Sequence, residues 1–408
     1  MERVAEVVLV TLCVMGGSVA VLNDRPIIGV LSQELDSHIL ERYPDNYTSY
    51  IAASYVKFLE SSGSRVVPIW INQSAQYYEY IVNSVNGLLL PGGAARFNVT
   101  DGYATAGWEL YKLAKLKNDA GVYFPVWGTC LGFELLAFLS ANNTETRKVC
   151  SVKRIALPLT MKPGYRSSRL YTYDQDGVLD ILQDESVLYH NHHWCITEQS
   201  LAESDAADQW HILSINQYNG IEFISSFEHN KYPFYGVQFH PEKNAFEWKV
   251  QSIPHSAESI LVQQFFGNFL VNEARKNNNS FPSIEDETAA LIYNYPVTYT
   301  GDTLAFEQSY FFTPVVAIIT ATDTTTTTTP TASTTTIAAT TETTNTTEST
   351  NTTAVSTATS EAVTKPSTPP PAVTHAQSKG KHSAAPAENC VSYALLCVTA
   401  ILTWELAH

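Results

Sequence analysis

Residues 125–136 read PVWGTCLGFELL, and their order decides the fold. An apolar run leads into Gly128-Thr129-Cys130-Leu131-Gly132, and the next residues place Leu131, Leu135, Phe138 and Leu139 on one helical face. Strand, tight turn and helix in that order are the unit of a parallel sheet covered by helices. A thiol between two glycines at the turn has the setting of a nucleophile elbow, with cysteine where serine is more usual. The turn strains its central residue and lifts the side chain out of the sheet, while small neighbours let the backbone come close. The helix start favours a thiolate through its dipole and offers free N–H groups to an oxyanion. Gly-x-Cys-x-Gly alone also suits a packed structural thiol, but the flanking strand and helix favour Cys130 as nucleophile, with the Leu131 N–H as one oxyanion donor.

The pattern repeats upstream. Strand-like runs at 26–32, 65–71, 85–90 and 121–127 alternate with helix-like spacing at 49–59, 76–85 and 103–116. Such alternation over short connections predicts an α/β fold, a mostly parallel sheet sandwiched by helices. Ligands gather beyond the carboxyl ends of such strands, where both Pro91-Gly92-Gly93 and Cys130 fall. The Gly93 N–H, on a flexible glycine turn at a neighbouring strand end, is the second expected oxyanion donor. From 150 to 239 the pattern is richer in strands, with 221–227 and 234–239 as neighbours, and 256–276 closes the core as an amphipathic helix.

A thiol nucleophile needs a base. His240 ends an apolar run in Gly236-Val-Gln-Phe-His-Pro-Glu242, and Glu242 can point the same way as His240. A carboxylate on one ring nitrogen fixes the tautomer and supports the imidazolium formed when the other nitrogen takes a proton. Glu134, one turn after the nucleophile, is placed either to bind a substrate amino group or to complement the helix dipole.

The ends differ from this core. Residues 1–20 carry Arg3, a short apolar run and a small-residue site, as in an export signal. One globular unit is expected over 21–315. Residues 316–389 are dominated by Thr, too poor in apolar groups to offset ordering entropy, and suit an O-glycosylated stalk and spacer. The apolar tail, 390–408, has the form of a glycolipid-anchor signal, with a tail-spanning helix as the alternative. Asn-x-Ser/Thr sites at Asn46, Asn72, Asn98, Asn142, Asn278, Asn345 and Asn351 fit an exported chain. Of the 6 Cys, only Cys130, Cys150 and Cys195 lie in the globular unit. Cys150 and Cys195 can pair and leave Cys130 free, but spacing does not decide it. A net charge of -16 excludes a nucleic-acid partner, which requires a basic surface.

With these motifs in view, the chain resembles the class I glutamine amidotransferase superfamily in PVWGTCLGFE, LLLPGG and YGVQFHPEK. Within it, IIGVLSQE (27–34), YIAASYVKFLESSGSRVVP (50–68), NHHW (191–194) and the run 219–248 are similar to the γ-glutamyl hydrolase (folate polyglutamate hydrolase) family. The resemblance covers about 26–310 and is absent from stalk and tail. It implies a flavodoxin-like fold and hydrolysis of γ-linked glutamates from folate or antifolate tails, with Cys130 as nucleophile, His240 as acid/base and Glu242 as third member. It also implies a substrate-side role for His193, or for His192 if the register shifts by one. The partner it implies is a small poly-γ-glutamate. That chemistry calls for no metal or organic cofactor. Arg96, Lys162, Arg166 and Lys243 are the candidate local cations for so anionic a substrate. A lipid-anchored external location is expected, with the lysosome as alternative, and the sequence leaves open whether a homodimer forms. The other function classes are a glutaminase-type amidotransferase and an idle surface binding module.

Overall fold

The computed structural model describes residues 22–43, 46–172 and 176–313. The expected signal, stalk and tail lie outside the described residues.

The central sheet has eight strands: β1 (Ile27–Leu31), β2 (Arg65–Ile69), β3 (Gly87–Leu90), β4 (Val126–Thr129), β5 (Thr160–Met161), β6 (Trp210–Tyr218), β7 (Ile221–His229) and β8 (Phe234–Val237). Their order is β2-β1-β3-β4-β8-β7-β6-β5. The pairs from β2 to β8 are parallel, and β7, β6 and β5 extend the same sheet antiparallel. The strand-rich part expected after residue 150 is therefore largely a continuation of one sheet.

Helices α1 (Ala53–Glu60), α2 (Ala75–Ser84), α3 (Tyr103–Asp119), α4 (Leu131–Ser140) and α5 (Ala257–Ala274) cover it. Alternation along β1 divides the core. Ile27 and Leu31 pack with Ile81, Leu110 and Leu135 of α2, α3 and α4, while Ile28 and Val30 pack with Phe58 and Leu270 of α1 and α5. A strand apolar on both sides must be covered on both sides, which is the sandwich.

Two expected elements differ. Residues 49–59 are not all helix: Ser49–Ala52 is a strand pairing with Gln308–Phe312 and Gln33–Glu34 in a second sheet, and the helix starts at Ala53. Ile51 and Tyr55 fit helical spacing, but pairing partners far along the chain override it. The run 121–127 enters the sheet only at Val126. Gly121, at φ +82°, turns the chain out of α3, and Pro125 has no N–H for a ladder.

Beside the sheet, Lys148–Leu157 and Leu188–Cys195 form an antiparallel ribbon. The Cys150–Cys195 disulfide ties it, and Cys130 is the free cysteine. Asn46, Asn72, Asn98, Asn142 and Asn278 are all exposed, as acceptor sites require.

Candidate active site

Three adjacent strands, β3, β4 and β8, end on the same side, with Leu90 opposite Gly128 and Val237 opposite Thr129. The chain leaving each is a site component: Pro91-Gly92-Gly93, Cys130 and His240.

Cys130 caps α4 at φ 51° and ψ -105°, a conformation rare for a residue with a side chain. Its N–H donates to Val237 O at 2.7 Å, and Glu134 N–H donates to Cys130 O at 3.0 Å. The flanking glycines are required by close approach. A β-carbon on Gly128 would lie 2.8 Å from Phe133 N, and one on Gly132 would lie 2.6 Å from the Leu90 carbonyl carbon.

His240 Nδ1 is 2.7 Å from Glu242 Oε1, and His240 N–H donates to Tyr189 O at 2.9 Å. The carboxylate only accepts, so Nδ1 carries the proton and Nε2 keeps its lone pair. A β-carbon on Gly92 would fall 2.9 Å from His240 Cε1 and 3.0 Å from Cys130 Cβ, so thiol and imidazole converge on one backbone point.

The Pro91-Gly92-Gly93 turn is pinned rather than flexible as the sequence suggested. Gln33 Nε2 donates to Pro91 O at 3.1 Å and Gly92 O at 3.2 Å, Tyr103 OH donates to Pro91 O at 2.7 Å, and Gly92 N–H donates to Tyr55 OH at 2.8 Å. The Gly93 N–H has no partner among the described residues. The Leu131 N–H bonds the Cys130 sulfur. Tyr55 also lies within electrostatic reach of Glu242, linking the turn to the His-Glu pair. Tyr55 had read as part of the helix-like spacing at 49–59 and Gln33 lay just past the expected strand at 26–32, and no local spacing marks either as part of a site.

Burial pushes the Cys130 thiol well up, Glu134 and Glu242 add to the rise, and Lys243 and the Leu131 N–H oppose it. The thiolate expected from the helix end is therefore corrected to a neutral resting thiol: one helix terminus does not offset desolvation beside two carboxylates. Burial lowers His240, against the pull of Glu242. Burial would raise Glu242, but His240 and Lys243 bring it below the ordinary carboxylate value. The resting site thus pairs thiol and neutral imidazole over an ionised carboxylate.

Cys130 lies where two clefts meet. One, of about 360 Å³, is lined by Asp36, Tyr50, His240, Lys243 and Phe306. The other, of about 880 Å³, is lined by Arg96, Phe97, Glu134, Arg147, His193 and Trp194. Gly93, Cys130 and Asn191 border both. Glu134 is buried, 3.1 Å from Gln238 Nε2 and 3.4 Å from Arg147 Nη1, and burial raises it to about 7 against Arg147 and Gln238. Arg147, which sequence reasoning missed, also pairs with Glu145 at 2.7 Å and sits 3.9 Å over the Phe97 ring. Exposed His193 faces the larger cleft and bonds Ser151 Oγ at 2.9 Å. His192 is buried, with Nδ1 3.6 and 3.5 Å from the sulfurs of Cys150 and Cys195. Those three residues are the one cluster among the described residues compact enough for an ion, and the disulfide takes both sulfurs. Of the other candidate cations, Lys162 pairs with Glu198 at 2.7 Å and Arg166 stacks on Tyr165; neither lines these clefts.

Residues 26–242 match the peptidase C26 family. The chain is 42% identical to a γ-glutamyl hydrolase of Mus musculus over 71% of its own length and 90% of that protein's. It is 39% identical to one of Homo sapiens over the same shares, and 35% identical to γ-glutamyl hydrolase B of Dictyostelium discoideum over 71% and 84%. Among solved structures, a putative GMP synthase subunit of Thermoplasma acidophilum is similar over 61% of this chain and 94% of that one, at 16% identity and a TM-score of 0.35, too distant to bear on the argument. Sequence likeness of that extent, over a domain whose elbow thiol and His-Glu pair meet at adjacent strand ends, makes this chain a member of the γ-glutamyl hydrolase family.

Proposed function

We propose that the chain is a cysteine hydrolase cleaving γ-glutamyl bonds of folate or antifolate poly-γ-glutamates through a γ-glutamyl thioester. The observation carrying this is the convergence of Cys130 with the His240–Glu242 pair at the ends of two adjacent parallel strands. As the γ-carbonyl approaches, His240 Nε2 takes the Cys130 proton while sulfur bonds to carbon, so no free thiolate need accumulate. Glu242 holds the ring and supports its positive charge. The N–H groups of Gly93 and Leu131 receive the developing oxyanion. His240 passes the proton to the leaving amine, and water, deprotonated by the same imidazole, hydrolyses the thioester and restores the thiol. Glu134 accepts from the α-nitrogen of the acyl residue, and His193 lies along the same cleft.

The surface location follows from the ends of the sequence: an exported, stalked and lipid-anchored protein, with lysosomal delivery as the alternative. Among the described residues no helix is long and apolar enough to cross a membrane. Release from intact cells by an enzyme that cleaves glycolipid anchors is the expected outcome, and retention removes the anchor.

The deciding experiment incubates parent and Cys130→Ala with a pteroyl polyglutamate and reads product lengths. The parent is expected to shorten the tail, and the variant to lose turnover while keeping its melting transition. An active alanine variant overturns the nucleophile assignment. Turnover of glutamine alone points to a glutaminase, and turnover of neither substrate to a binding module.

A further inference from the structure

Resting on that reading, we infer that Arg147 is a positioning residue that acts on the reaction through Glu134, holding its carboxylate as an acceptor for the α-nitrogen of the acyl residue. A carboxylate accepts through both oxygens, whereas a carboxylic acid carries an O–H where a substrate N–H has to be received. Glu134 is 2% exposed, and burial of that degree favours the acid. Two side chains oppose it. Glu134 Oε1 accepts from Gln238 Nε2 at 3.1 Å, and Oε2 faces Arg147 Nη1 at 3.4 Å.

Arg147 is itself fixed from three directions. Its Nε and Nη2 donate to the two oxygens of Glu145 at 2.8 and 2.7 Å, and its backbone N–H donates to the same carboxylate at 3.0 Å. The guanidinium lies 3.9 Å over the Phe97 ring and 5.3 Å over the Trp194 ring. A planar fork held by one carboxylate and stacked on rings has little freedom left, so its remaining nitrogen is aimed at Glu134. The fold seats this stack at one end of the ribbon. Arg147 leads into the strand Lys148–Leu157, Trp194 stands opposite Val149, and the Cys150–Cys195 disulfide ties that end.

The other titratable groups acting on Glu134 are Glu145, the Cys130 thiol and the Tyr103 phenol. Glu145 opposes ionisation, and burial pushes the thiol and the phenol up, so both stay neutral. Arg96, His192 and His193 line the same cleft, but among the described residues Arg147 is the cation paired with Glu134. With Arg147 and Gln238 in place, burial lifts the carboxyl only to about 7. Without Arg147 it rises further. Burial lowers His240 from its ordinary value, so the acid limb of the rate belongs to Glu134.

The test measures kcat/KM of the full-length chain on pteroyl-γ-diglutamate from pH 5 to 9, with melting followed at each pH. It compares the parent with Arg147→Met, Arg147→Lys, Glu134→Gln and the Arg147→Met, Glu134→Gln double variant. We expect Arg147→Met to move the acid limb upward by about one pH unit. Its kcat/KM then falls about tenfold on the acid side and largely recovers on the alkaline side, and Arg147→Lys, which keeps the charge without the fork, moves the limb less. In the Glu134→Gln background the loss of Arg147 should leave the profile nearly unchanged. An equal fall at every pH, the same fall with and without Glu134, or no fall at all overturns the inference. If Arg147→Met does not fold, Arg147→Lys with and without Glu134→Gln decides by the same criteria. A parent that leaves the diglutamate intact at every pH overturns the γ-glutamyl reading itself, and this inference with it.

Discussion

At the residue scale, Cys130 is held by backbone rather than by side-chain contacts. Its positive φ, its N–H on Val237 O and the two bare α-carbons beside it present the sulfur to both clefts while only 4% of the residue stays exposed. On the proposed mechanism that burial makes the imidazole indispensable, since it disfavours the thiolate. Glu242→Gln is expected to lower kcat/KM by about 10²-fold or more, because a neutral amide does not support the imidazolium and its NH2 can donate to Nδ1 and favour the wrong tautomer; stopped assays on the same substrate check this. Glu134 gives a separate signature. In the folded chain it holds its proton to about 7, against an ordinary 4.5 when unfolded. Between those values the unfolded chain has released a proton that the folded chain keeps, so stability falls as pH rises through that window. Glu134→Gln should flatten the fall, which is at most about 3 kcal/mol, in denaturant titrations at pH 4.5 and 7.5. The motif residues Cys130, His240 and Glu242 were legible because each sits in a short run with its own chemistry. Gln33, Tyr55 and Arg147 were not, since their roles depend on neighbours brought in by folding.

At the element scale, parallel pairing of β3, β4 and β8 does the assembling. The close packing of α4 on β3 leaves no space at Gly132, so Gly132→Ala should cost about 2 kcal/mol or more of stability, read as a lowered midpoint. The ribbon beside the site depends on its disulfide, which joins residues 45 apart in sequence. Replacing Cys150 and Cys195 together by Ser should lower stability by about 2–4 kcal/mol, and peptide mapping of the oxidised protein should recover the Cys150–Cys195 pair. The alternation of strand and helix was readable from apolar spacing. The strand Ser49–Ala52 was not, because its partners are Gln33–Glu34 and the distant Gln308–Phe312. The delayed start of β4 was visible in Pro125, which cannot donate to a ladder.

At the scale of the molecule, an acidic chain of an enzyme family with an anionic substrate carries individual cations in the clefts at the thiol. The overall charge gave no hint of this, and only two of the four cations proposed by nearness in sequence, Arg96 and Lys243, reach a cleft at the thiol. The sulfur stands at a junction that borders two clefts, one of about 360 Å³ and one of about 880 Å³. A polymer can therefore lie across it like a thread over a knife edge, with no need for the enzyme to locate a terminus. Long tails should then yield severed pieces of several residues at the earliest time points, rather than single glutamates trimmed one by one.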